Sequence, residues 1–153
     1  MSAPRDPSAA GAALLTRGAC RAFEQLGYRC LREFPLANQR RADILALGRT
    51  GELVIVEIKS SAADFRADSK WPHYRDFSDR LYFAVATGFP TQLIPAECGL
   101  MVADAFGGAL LRDGVATRLT PARRRALTLR FARVAAERLR RCLEADAARV
   151  ESA

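Results

Sequence analysis

An aspartate, a glutamate and a lysine stand at the ends of two short apolar segments. The first reads Arg41-Ala42-Asp43-Ile44-Leu45-Ala46-Leu47 and the second Leu53-Val54-Ile55-Val56-Glu57-Ile58-Lys59. Thirteen residues separate Asp43 from Glu57, enough for two strands and a tight turn. Side-chain alternation places Glu57 and Lys59 on the same face of their strand. Two carboxylates and an amine at one sheet edge can hold a divalent cation beside a phosphodiester. Asp43 and Glu57 offer hard oxygen ligands suited to Mg²⁺ or Mn²⁺, with the Ile58 carbonyl as a third. Lys59 can then orient a water or stabilise developing charge. A Glu-x-Lys on a strand is also the pattern of an ordinary ion pair. Here the charges interrupt an apolar run, and buried charge is costly unless paired or metal-bound.

The elements that must position these groups follow from periodicity and punctuation. Residues 1–7 form a loose tail ahead of one domain, 8–149. Ser8 to Gly27 reads as a helix, with Leu15, Ala19, Ala22, Phe23 and Leu26 at three- and four-residue steps. Tyr28–Phe34 is a strand closed by Pro35. Ala42–Leu47 and Leu53–Ile58 form a hairpin across a Gly-rich turn, and their near-continuous apolar character marks strands covered on both faces. Ser61-Ala62-Ala63-Asp64 is a capping box for a helical turn running toward Lys70, and Pro72 biases Trp71 away from helix. Arg80–Ala86, Gly99–Ala103 and Ala109–Arg112 are further strands. Thr120 caps a long helix that opens with Pro121. The class is α/β: an αβββαβ core with a mixed sheet, extra strands and a long C-terminal helix.

Composition bounds the partners. The 153-residue chain carries a formal charge of +7, nearly all from arginine, which favours polyanions. The C-terminal helix alone sets nine arginines against four acids, the usual pattern of a solvated face but equally suited to phosphate. Cys20, Cys30, Cys98 and Cys142 are scattered, and His73 is the sole histidine. That spacing offers neither a zinc site nor a disulfide framework, so the cysteines read as free thiols in a cytoplasmic protein. No apolar run is long enough to span a bilayer.

Further candidates lie on either side of the acidic pair. Arg41, Arg66, Lys70 and Arg75 could touch phosphates, and Trp71 and Tyr74 could stack on an exposed base. For Trp71 a place in the core is the competing reading, and for the charges a solvated helix face. Glu33, at a strand end, could complete a metal site. Glu24, late in the first helix, reads as a surface acid.

The Asp43 and Glu57-Ile58-Lys59 pattern resembles that of the PD-(D/E)xK nuclease superfamily. Ala42 stands where the nominal motif has proline. Many such nucleases also carry a Glu in the first helix, where Arg17 to Ala19 stand here. Lys70 and Tyr74 partly match a Gln-x-x-x-Tyr of RecB-like members, with Lys in place of Gln. The runs Arg40–Asp43, Val56–Ser61, Asp64–Asp76 and Asp79–Val85, extended by Val102–Ala105, are similar to the MmcB-type DNA-repair family of bacteria. The likeness spans roughly Gly18 to Arg112. It implies a restriction-endonuclease-like fold, a role with damaged DNA and a bacterial cytoplasmic setting. Three activities are compatible with it: an Mg²⁺-dependent deoxyribonuclease, a non-cleaving DNA-binding module, and a subunit that recruits a repair protein. DNA is the expected partner in the first two, with homodimerisation left open.

Overall fold

A computed structural model describes residues 7–152. Most of the expected tail lies outside that range, and Pro7 is already the first residue of the first helix. The chain divides after Leu119 into two compact units. The first holds α1 (Pro7–Gln25), β1 (Arg29–Pro35), β2 (Arg41–Leu47), β3 (Leu53–Lys59), α2 (Ala62–Ala67), β4 (Arg80–Ala86), β5 (Gly99–Ala103) and β6 (Gly108–Arg112). A 3-10 helix over Trp71–Phe77 precedes β4. The second unit is α3 (Pro121–Glu151), whose N-cap Thr120 accepts the Arg123 N–H at 3.3 Å.

The six strands make one sheet in sequence order. The β1–β2, β2–β3 and β5–β6 pairs are antiparallel, and β3–β4 and β4–β5 are parallel. This is a mixed α/β architecture. The parallel β3–β4 pair needs a crossover, which α2 and the 3-10 helix supply. Antiparallel β2 and β3 need only a turn, closed by Gly48 N–H to the Glu52 carbonyl at 2.8 Å with Gly51 at φ +93°. The first helix ends as its glycine demands: Gly27 adopts φ +95°, and Tyr28 N–H reaches back to the Phe23 carbonyl.

Leu15, Ala19 and Phe23 of α1 pack on Val54, Val56 and Ile58 of β3, with Ile44, Tyr82 and Met101 beside them. α1 comes so close to the β5–β6 turn that a Cβ on Gly18 would sit 1.7 Å from the Asp104 carbonyl oxygen. By alternation Ile55, Glu57 and Lys59 point to the opposite face. There Phe83 of β4, paired with Glu57, meets the rings of Phe65 and Trp71 edge-on at 5.3 and 5.9 Å. Every residue of β3 is buried, Glu57 and Lys59 included.

Asp79 is a buried acid without a role in the cleft chemistry. Its Oδ2 accepts Leu53 N–H at 2.8 Å and its Oδ1 accepts Leu119 N–H at 3.1 Å, locking the start of β3 to the segment after β6. Asp79→Ala strands both donors at about 1–3 kcal/mol each. A loss of roughly 2–6 kcal/mol is therefore expected in urea denaturation, with Asp79→Asn losing less because it keeps one acceptor.

Candidate active site

The β2–β3 ladder runs from Leu47↔Leu53 to Ile44↔Val56 and stops. Beyond it the strands part, and side chains take over from the backbone. Asp43 N–H donates to Glu57 Oε1 at 3.1 Å, while Ile58 N–H donates to Asp43 Oδ2 at 2.8 Å. Each carboxylate thus satisfies a donor that the ended ladder leaves over. The β1–β2 register skips the same level: Arg32↔Ile44 and Phe34↔Ala42 pair, but Glu33 and Asp43 between them do not. Glu33 there adopts φ +47°, a left-handed conformation rare for a side chain of this kind.

The fork opens into a cleft of about 760 Å³. Its floor is Asp43, Glu57, Ile58 and Lys59, and α1 contributes only small residues such as Ala12 and Thr16. Five carboxylates (Glu33, Asp43, Glu57, Asp64 and Asp68) line it against the four cations Arg32, Arg41, Lys59 and Lys70. The cleft is therefore an acidic hollow in a chain of net charge +7. Burial pushes the Asp43 carboxyl above its ordinary value. Glu57 is pushed well above, first by burial and then by the charge of Asp43. Two acids this close and this far from water are costly together unless they share a proton or a cation.

The charge of Lys59 favours the ionised form of both carboxyls, but its ion pair is made elsewhere. Its Nζ lies 2.7 Å from Asp68 Oδ2, and both side chains are nearly buried. Asp68 ends α2, and its Oδ1 also takes Lys70 N–H at 2.7 Å. Burial raises the Asp68 carboxyl, but the hydrogen bond and charge of Lys59 together with backbone hydrogen bonds from Lys70 and Trp71 outweigh it, so this acid sits below its usual range. The ammonium is thus fixed beside the acidic pair by a residue that sequence reading passed over. No periodic signal marks Asp68, because it acts across a loop rather than along an element.

The other sequence candidates divide. Ile58 and Glu33 do line the cleft. Glu33, however, turns its exposed carboxylate toward Arg41 at 3.7 Å, and its left-handed backbone holds it at the rim. Among the described residues no three His, Cys, Asp or Glu side chains converge as a metal-holding group. The ligand set the fork offers is Asp43, Glu57 and the Ile58 carbonyl. That fits a hard cation that keeps several waters, and the raised carboxyls are the feature a cation would relieve. Glu24 lines a different cleft with Arg21, Gln25 and Phe106.

Arg41 and Lys70 face the cleft, whereas Arg66 and Arg75 are not part of its lining. Arg66 is exposed on α2, and Arg75 approaches Glu97 at 3.6 Å. The expected stacking of Tyr74 is corrected by the structure. The ring is buried, and its hydroxyl donates to the Arg41 carbonyl at 3.1 Å. Burial, then the charges of Glu57 and Asp43, push that hydroxyl up to about 12. Tyr74 braces the start of β2 from the wall of the cleft. Trp71 is half-buried on Phe83. The capping box forms, Ser61 Oγ accepting Asp64 N–H at 3.1 Å, but α2 stops at Ala67 rather than running on to Lys70.

The four cysteines are free, and no helix among the described residues is long and apolar enough to cross a membrane. No curated protein matches the chain. A solved structure does: SPO1766, a protein of unknown function from Silicibacter pomeroyi, is 42% identical and superposes with a TM-score of 0.81. The match covers 84% of this chain and 88% of that one. Residues 3–146 match the family described as DNA repair protein MmcB-like. A match across nearly the whole sequence, fork and cleft included, places the chain in the MmcB-like family of DNA repair proteins.

Proposed function

We propose that the chain is a metal-dependent deoxyribonuclease of the restriction-endonuclease-like, PD-(D/E)xK type, acting on damaged or structured DNA. One observation carries the reading: buried Glu57 and half-buried Asp43 stand side by side at the fork, with the Lys59 ammonium held next to them. A sheet that wanted only to end there could use neutral acceptors. In this reading Asp43, Glu57 and the Ile58 carbonyl hold the ion. Mg²⁺ or Mn²⁺ bound there supplies Lewis acidity toward a phosphoryl oxygen. Lys59, held in place by Asp68, stabilises the charge that builds on the phosphate. Arg41 and Lys70 at the cleft wall bind flanking phosphates. The small residues of α1 leave room for a nucleic-acid backbone.

The test is cleavage of single-stranded, nicked, flapped and duplex DNA with Mg²⁺ or Mn²⁺, comparing wild type with Asp43→Asn. Activity that needs the metal and vanishes in the variant is expected. Replacing Arg41 and Lys70 together with Ala should weaken binding and flatten its salt dependence, by roughly 0.7–0.9 in log–log slope per lost contact. An unchanged slope would put the DNA elsewhere.

A second reading, a DNA-binding platform that does not cut, is favoured by the Lys59–Asp68 pair. There the lysine already has a partner, and both carboxylates already accept backbone bonds. The same assay separates the two: binding without cleavage of any DNA form supports the platform.

A further inference from the structure

The distal half of α3 has no buried residue. Every position from Leu139 to Ser152 is exposed, and Leu139, Leu143 and Val150 show 61%, 61% and 78% of their surface. So solvated a helix has no tertiary burial to stabilise it, yet it carries an apolar stripe. Ala136, Leu139, Leu143, Ala147 and Val150 follow one another at steps of three, four, four and three. Those steps keep to one face of an α-helix. They also read the same in both directions from Leu143.

A palindromic stripe is complementary to itself run backwards. With a two-fold axis at Leu143, Leu139 comes level with Ala147 of a second copy and Ala136 with Val150, large against small. The charges agree. At 1.5 Å of rise per residue, Arg133 falls within about 3 Å of the level of Glu151 in the other copy. Arg138 stands in the same relation to Asp146, and Arg140 to Glu144. Symmetry makes each pairing twice.

Parallel pairing has no such match. Residues 121–136 carry five arginines and no acid, so two parallel helices would set +5 against +5. Residues 137–151 carry four arginines and four acids. In the single chain these acids pair within the helix, Arg140–Glu144 and Arg141–Glu137 at 2.5 Å and Arg149–Asp146 at 3.4 Å. Exposed pairs of this kind are worth only tenths of a kcal/mol and are free to exchange partners.

We propose that residues 136–150 of α3 form a homodimer interface, two copies packing antiparallel about Leu143 with Arg140 beside Glu144 of the other copy. The occupant is a second copy because both the spacing and the charges are self-complementary.

Sedimentation equilibrium of the full chain tests it, with circular dichroism to confirm that each variant keeps its helix. The mass should rise from 16.8 kDa toward twice that value with concentration. Leu143→Arg, which sets two like charges at the axis, should hold the chain at the monomer mass. Arg140→Glu should weaken the dimer several-fold, and the exchange Arg140→Glu with Glu144→Arg should restore it. Ala145→Arg, on the opposite side of the helix, should change nothing. A monomer at every concentration overturns the proposal. So does a dimer indifferent to Leu143→Arg, and a charge exchange that fails to rescue overturns the antiparallel register.

Discussion

Glu57→Gln is expected to melt higher than wild type at pH 7 without metal, and to lose the stabilisation that Mn²⁺ gives the wild type. Glutamine keeps an oxygen for Asp43 N–H but removes a charge that burial and Asp43 make costly. The sign follows from linkage. Both carboxyls lie above their ordinary values when folded, so the folded state binds more protons than the unfolded. Stability therefore falls as pH rises from the ordinary carboxylate range through the raised values. The gain from glutamine should be greatest above that window and fade toward pH 4. Replacements at strained functional sites commonly return about 0.5–2 kcal/mol, worth roughly 2–4 °C per kcal/mol in a chain of this size. In the wild type, Mn²⁺ at a hundred times its dissociation constant should add about 2.7 kcal/mol. Calorimetric melting at several pH values, with and without Mn²⁺, reads all of this. A wild type indifferent to Mn²⁺, or a glutamine variant that melts lower at pH 7, would show that the carboxylate serves the sheet alone.

Lys59→Met should cut hydrolysis by on the order of 10²-fold or more while leaving DNA affinity nearly unchanged. A charge fixed beside the reacting phosphate acts mainly on the transition state. The substitution also strands Asp68, which is nearly buried and hydrogen-bonded to Lys59, so stability should fall as well. Lys59→Met combined with Asp68→Asn removes that penalty. It should recover the melting temperature but none of the activity. Recovery of both would mean that Lys59 matters only for the fold. Asp68→Asn alone leaves the ammonium present but less firmly held, and its hydrolysis should fall between the two.

The cleft floor was legible because strand physics is local. Alternation put Glu57 and Lys59 on one face, and a Gly-rich turn between two apolar runs brought Asp43 beside them. Helix punctuation at Gly27, Ser61 and Thr120 was equally plain. What escaped sequence reading acts across loops. Asp68 reaches Lys59 from the end of α2, Asp79 ties Leu53 to Leu119, and the Tyr74 hydroxyl reaches the Arg41 carbonyl from 33 residues away. Tyr74 looked like a stacking ring because it is an aromatic set among Arg66, Lys70 and Arg75. The chain instead breaks at Asp68 and restarts as a 3-10 helix, which turns the ring inward. Glu33 showed no sign of its left-handed backbone, since nothing in Arg32-Glu33-Phe34 interrupts a strand pattern.

The fork at Ile44↔Val56 also bears on how such chains diverge. Asp43 and Glu57 each close a backbone bond that the sheet cannot close alone, so a relative with no use for the charge would still be held to side chains with an oxygen at both positions. Asparagine and glutamine meet that demand as well as the acids do. Lineages in which no cation or substrate needs the charge should therefore drift first from acid to amide at these two sites, keeping the acceptor. In this chain both positions are acids.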